Sequence, residues 1–236
     1  MLHRILCNRS AGLVTLILAI FSCKTTNIVP APASLTIVHA ITGSKPVLPK
    51  LGDDEPGKYY TDISELGYGS ARLYSTIAGN LPISIVPVTD TNLMVYSGHL
   101  VLRSGAIYSF FLAGDTTHVD TLLVKDEIPF YSDSSAGLRC INLLSGVKTS
   151  IRINLQGDSA NAQFSNITYA DITAFKKFNA TSAVGTSYSL EIRDQQTGNL
   201  LSTFTWSFTP QKNNTLVVSG STDLAVGLTV FTINNY

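Results

Sequence analysis

One strand-like pattern occurs twice in this chain, and that repetition constrains the fold more than any single residue. Ala33-Ser34-Leu35-Thr36-Ile37-Val38-His39-Ala40-Ile41-Thr42-Gly43-Ser44-Lys45 aligns with Ala136-Gly137-Leu138-Arg139-Cys140-Ile141-Asn142-Leu143-Leu144-Ser145-Gly146-Val147-Lys148. Leu35, Ile37 and Ile41 take the places of Leu138, Cys140 and Leu144. Tyr68 and Tyr74 keep the spacing of Tyr169 and Phe175, and Ile107–Gly114 matches Asn213–Gly220. Matches in the same order along the chain point to two copies of one unit. Ile128–Ser135 holds a proline and a polar run, which places the join near Asp133.

Each copy reads as strands. Leu81–Val86, Leu100–Leu102, Val119–Val124, Ser150–Leu155 and Thr229–Ile233 are β-branched or alternating. Ser97-Gly98, Arg103-Ser104-Gly105, Gln156-Gly157-Asp158 and Thr197-Gly198-Asn199 are turn signals between them. No segment beyond position 30 shows a helical period. Short strands with turns every ~8–12 residues predict an all-β protein of two tandem immunoglobulin-like β-sandwich domains, residues 33–132 and 133–236.

The first 22 residues have a different character. His3, Arg4 and Arg9 precede the apolar run Ala11–Phe21, which is shorter than the roughly 20 residues that span a bilayer. The run ends Ile20-Phe21-Ser22-Cys23, which resembles the lipobox of bacterial lipoproteins, although Phe21 replaces the small residue usual there. The resemblance implies a signal peptide over 1–22, cleavage before Cys23, and acylation (palmitate among the chains) of Cys23. Residues 23–32, polar and then proline-punctuated, read as a short tether. The expected location is the cell envelope, as an outer-membrane lipoprotein on either face. Cleavage there leaves enough chain for one larger domain or two of about 100 residues.

Composition excludes more than it proposes. Lys and Arg total 16 against 16 Asp and Glu, with no basic stripe, which argues against nucleic acid. Charged residues make up only 14% of the chain, against about 25% in typical soluble domains. Of three cysteines, Cys7 lies in the signal and Cys23 takes the lipid. Cys140 then has no disulfide partner and alternates with Leu138 and Leu144, as a small core residue does.

The opening strands Leu35-Thr36-Ile37-Val38-His39-Ala40 and Leu138-Arg139-Cys140-Ile141-Asn142-Leu143, with Tyr74–Gly79, resemble the bacterial lipoproteins of the domain-of-unknown-function family 4397. The second copy departs at this turn, with Phe178-Asn179-Ala180-Thr181. The resemblance implies a β-sandwich in the envelope and no activity that can be assigned to a residue.

Few residues suggest chemistry. His39 and Asn142 share a repeat position, as polar groups tying strand to loop would. His118 and Asp120 share a strand face near Asp115; a metal or acid–base pair is one reading, a solvated edge the simpler one. Trp206, on one face with Phe204 and Phe208, reads as core rather than as a sugar platform. Asp53, Asp54 and Glu55, followed by Tyr59 and Tyr60, form the candidate binding loop: tyrosines give contact area at low entropic cost. The acidic spacing does not fit a helix–loop–helix calcium loop. Asp115-Thr116-Thr117, Asp120-Thr121-Leu122 and Asp158-Ser159-Ala160 resemble the O-glycosylation acceptor of some Gram-negative envelope proteins. No nucleophile elbow, phosphate loop, dinucleotide fingerprint or zinc-protease motif occurs, so no catalytic residue, metal or cofactor is expected. The reading is a non-enzymatic, membrane-anchored binding or scaffolding module whose partner is a glycan or another envelope protein. The alternative is a fimbrial or adhesin subunit assembling by strand addition.

Overall fold

A computed structural model describes residues 31–52, 65–145, 150–221 and 227–235. Cys23, residues 1–30, and Asp53, Asp54, Glu55, Tyr59 and Tyr60 lie outside the described residues. The strands are β1 (Ala33–His39), β2 (Val47–Leu51), β3 (Ser70–Thr76), β4 (Gly79–Pro87), β5 (Tyr96–Leu102), β6 (Ile107–Gly114), β7 (Val119–Lys125), β8 (Ser135–Ser145), β9 (Ile151–Leu155), β10 (Ala162–Ile167), β11 (Lys176–Asn179), β12 (Ser187–Asp194), β13 (Leu200–Ser207), β14 (Asn213–Ser221) and β15 (Leu228–Asn234). No helix occurs among the described residues.

The strands pair into four sheets: β3-β1-β6-β7 and β2-β4-β5, then β11-β8-β14-β15 and β10-β9-β12-β13. No sheet mixes strands from before and after the segment 126–134. Strand order repeats between the halves, with β10 the one addition, at the open side of β9. Each half is a two-sheet sandwich of the immunoglobulin-like kind. Its connectivity differs from the constant-type immunoglobulin order, because the first strand of each half lies in mid-sheet, parallel to the last strand but one.

The central strands of the two halves pair in the same register. Ser34 faces Ile107 in the first half as Gly137 faces Asn213 in the second. Gly114 and Gly220 end the matched strands at φ 81° and 100°. A Cβ on either would run into a backbone carbonyl, that of His118 or of Gly227, so only glycine fits both bends. The pairing of Tyr74 with Phe175 needs correction. Leu35 faces Tyr74, but its counterpart Leu138 faces Lys176. The second copy carries one extra residue between Ile172, which bridges Ile141 as Ala71 faces Val38, and Lys176. Tyr68 and Tyr169 do correspond: each precedes a positive-φ residue, Gly69 or Ala170, whose amide donates to the carbonyl of His39 or Asn142 at 2.8 Å.

Each sandwich buries its own core. Leu35, Ile37, Ile83, Ile85 and Phe110 fill the first. Leu138, Cys140, Ile153, Ile192 and Trp206 fill the second, where Trp206 is ringed by Phe178, Tyr188 and Phe208. A third core joins Val38, Ala40, Phe111 and Ala113 of the first half to Ile141, Leu143, Val217 and Ile233 of the second. The sheets β3-β1-β6-β7 and β11-β8-β14-β15 therefore pack face to face, and β1 and β8 are buried on both sides. Strands covered on both faces carry near-continuous apolar runs, and Ile37-Val38 and Cys140-Ile141 are such runs.

Candidate functional site

Polar groups ring this inter-sandwich core. Thr42 and Ser145 hold the same repeat position and meet each other, Ser145 Oγ lying 3.3 Å from Thr42 Oγ1. A residue that touches its own counterpart marks a two-fold axis. The tyrosines repeat the relation. The Tyr68 hydroxyl lies 3.1 Å from Ser219 Oγ in the second half, and the Tyr169 hydroxyl donates to Asp120 Oδ2 in the first at 2.6 Å.

The Tyr169 end is the polar cluster flagged in the sequence. A cleft of about 180 Å³ is lined by Gly114, Asp115, His118, Asp120, Ser145 and Tyr169, among others. Asp120 Oδ1 pairs with His118 Nε2 at 3.2 Å, although His118 is 80% exposed. Asp115 Oδ1 accepts from the Thr117 amide and hydroxyl and the His118 amide, closing a tight turn. These bonds hold its carboxyl below the usual range. Partial burial, and then the bond to Asp120, push the Tyr169 phenol well up, so it is a fixed donor rather than an acid. Among the described residues no group of His, Cys, Asp and Glu is arranged to hold a metal. The cluster ties the halves together.

On another side of this core, Arg139 Nη2 donates to Asp126 Oδ1 at 2.6 Å, with side chains only 5% and 1% exposed. Asp126 Oδ2 accepts from Ser109 Oγ at 2.7 Å, Arg139 Nε donates to Thr215 Oγ1 at 2.8 Å, and the guanidinium lies over the Phe175 ring at 4.6 Å. Thr215 Oγ1 donates in turn to Asn235 Oδ1 at 2.6 Å. The chain crosses between halves, because Asp126 follows β7 and Arg139 lies in β8. Sequence reading missed Arg139 and Asp126. The available signal was loss of alternation in β1 and β8, which marks a second buried face.

His39 and Asn142 do the same job. His39 Nδ1 accepts the Ile41 amide at 3.4 Å, and Asn142 Oδ1 accepts the Leu144 amide at 3.1 Å. The His39 proton therefore sits on Nε2, beside Ser44 Oγ at 2.9 Å and the Lys45 carbonyl at 3.3 Å. Burial lowers its pKa, and the Lys45 bond opposes that in part. Cys140 is fully buried, and desolvation raises its thiol far above the ordinary value. Trp206 is fully buried, with Nε1 donating to Asn214 Oδ1 at 3.0 Å.

No family model matches the chain, and no curated protein matches it. Among solved structures it is similar to CBMbc, a family CBM26 module of Eubacterium rectale Amy13K crystallised with maltoheptaose. Identity is 12%, over 85% of this chain and 96% of that one, with a TM-score of 0.29. A likeness at that score carries no argument about ligand or activity, and the fold stands on its own strand pairings.

Proposed function

We propose that this chain is a non-enzymatic envelope lipoprotein, held at the outer membrane by acyl chains on Cys23, whose two sandwiches act together as a binding or scaffolding module. The observation that carries the reading is the third core, which docks the sandwiches into one body. A docked pair presents its end loops at fixed mutual angles, and preorganisation of that kind lowers the entropic cost of binding. Polar groups at the junction are engaged in holding it, Tyr169 bonded to Asp120 and Arg139 to Asp126, while His39 is taken up by its own loop.

The anchor rests on the Ile20–Cys23 motif. Each buried CH₂ contributes about 0.8 kcal/mol, so two or more acyl chains hold firmly. Tethering raises the effective concentration of weak contacts at the membrane surface. The motif likeness to family 4397 belongs to the same proposal. The partner class is an envelope protein or a glycan, not nucleic acid.

The test compares wild type with Cys23→Ala in cells fed an alkyne-tagged fatty acid. Wild type should carry the label and sediment with membranes, and the variant should lose both. A variant that stays labelled and membrane-bound would refute the anchor. Crosslinked pull-down then reports the partner; multimer ladders in unboiled extracts would point to strand addition instead.

A further inference from the structure

The second sandwich has a cleft of about 350 Å³, lined by Ser207, Thr209, Lys212, Asn213, Asn214 and Asn234. That volume falls in the range of small-ligand sites. The lining is chemically narrow: amides and hydroxyls, which both donate and accept, one ammonium, and no carboxylate. Its floor is fixed. Trp206 Nε1 donates to Asn214 Oδ1 at 3.0 Å, and Asn214 Nδ2 donates to Asn234 Oδ1 at 2.8 Å. Asn213 Nδ2 donates to the Pro129 carbonyl at 2.9 Å, and the residue that follows in the chain, Phe130, is 82% exposed.

The first sandwich serves as an internal control. By register, Asn213, Asn214 and Asn234 occupy the positions of Ile107, Tyr108 and Lys125. There Tyr108 is buried, and its hydroxyl accepts the Arg103 amide at 3.1 Å. The fold is thus built without amides at these positions, and the amide set belongs to the second copy alone.

We infer that this cleft binds a neutral glycan. Sugar hydroxyls both donate and accept, which matches the amides and hydroxyls of Ser207, Thr209 and Asn234. The C–H face of a sugar ring is apolar and fits the exposed ring of Phe130, whose hydration that contact relieves. The inference rests on the binding-module reading and narrows it to one site.

The chain's single tryptophan reports on the site, since Trp206 is bonded to the cleft floor. Full-length protein extracted in detergent is titrated with neutral oligosaccharides of gluco, manno, galacto and xylo configuration, following Trp206 emission and calorimetric heat. The expected result is saturable binding with an emission change. Phe130→Ala and Thr209→Ala, both at exposed residues, should each weaken it about tenfold or more and leave the thermal unfolding curve in place. Absence of binding to every sugar overturns the site, and a crosslinked protein partner in the same preparation would still uphold the module. Binding that both variants leave intact also overturns the site, while keeping a glycan-binding module.

Discussion

Removing one member of the Arg139–Asp126 pair should cost more than removing both. The pair is nearly sealed, with 5% and 1% of its side chains exposed. In Arg139→Thr the Asp126 carboxylate keeps, among the described residues, only Ser109 as a side-chain partner. In Asp126→Asn the guanidinium keeps Thr215 and the Phe175 ring but no counter-charge. Orphaning a buried charge costs about 3–5 kcal/mol, a large share of a net stability of about 5–15 kcal/mol. The double variant restores neutrality. By register it also installs the residues of the symmetry-related position, Thr36 and Asn235. On that side the structure accommodates a cleft of about 240 Å³ between Thr36 and Ile233-Asn234. The double variant should therefore lose only about 1–2 kcal/mol, as lost packing. With a urea m-value of about 2–3 kcal/mol/M, each single variant lowers the midpoint by about 1–2 M. Trp206 emission reports the second sandwich and far-UV circular dichroism reports both. The two probes should coincide in wild type and separate in the single variants. Additive losses in the double-mutant cycle would refute the reasoning.

Three further outcomes follow from particular residues. Burial lowers the pKa of His39 in the folded chain, so the unfolded chain binds the extra proton; stability should be full above the unfolded value of about 6.5 and fall as pH drops through it. His39→Asn, the residue its counterpart Asn142 supplies, should flatten that fall in urea curves taken from pH 7 to 5. Gly114→Ala and Gly220→Ala would each set a Cβ against a backbone carbonyl at positive φ, and should each cost about 2 kcal/mol or more in thermal or urea unfolding. Cys140 should resist thiol reagents in the native protein and react only on unfolding, since it is fully buried with its thiol pKa raised; rapid native labelling would contradict its place in the core.

The fold class was legible because sandwich strands bury alternate residues and their turns need special backbone angles. Alternation in Leu35-Ile37 and Leu138-Cys140 identified the inner faces. Gly114 and Gly220 marked matching bends. The Tyr74–Phe175 match slipped by a residue, because a single insertion between Ile172 and Lys176 is invisible where an aromatic happens to fall at the ungapped position. The junction was the least legible part. Arg139 in a strand reads as a solvated residue until its partner is known, and Asp126 lies beyond the end of another strand. Val38, Ala40, Ile141 and Leu143 carried the signal as apolar residues on faces that a lone sandwich would leave wet. Trp206 was legible as core from its spacing with Phe204 and Phe208. The Asn213, Asn214 and Asn234 cleft was not, since it gathers residues of β13, β14 and β15 and the loop between β13 and β14.

The proposed module requires the two sandwiches to move as one body. Residual dipolar couplings for backbone amides of β1–β7 and β8–β15, measured in one alignment medium, test this most directly. One alignment tensor fitting both sets, with the slowest amide exchange in β1 and β8, is the predicted result. Two tensors of different magnitude, with fast exchange in those central strands, would mean that the sandwiches reorient independently, and would contradict it.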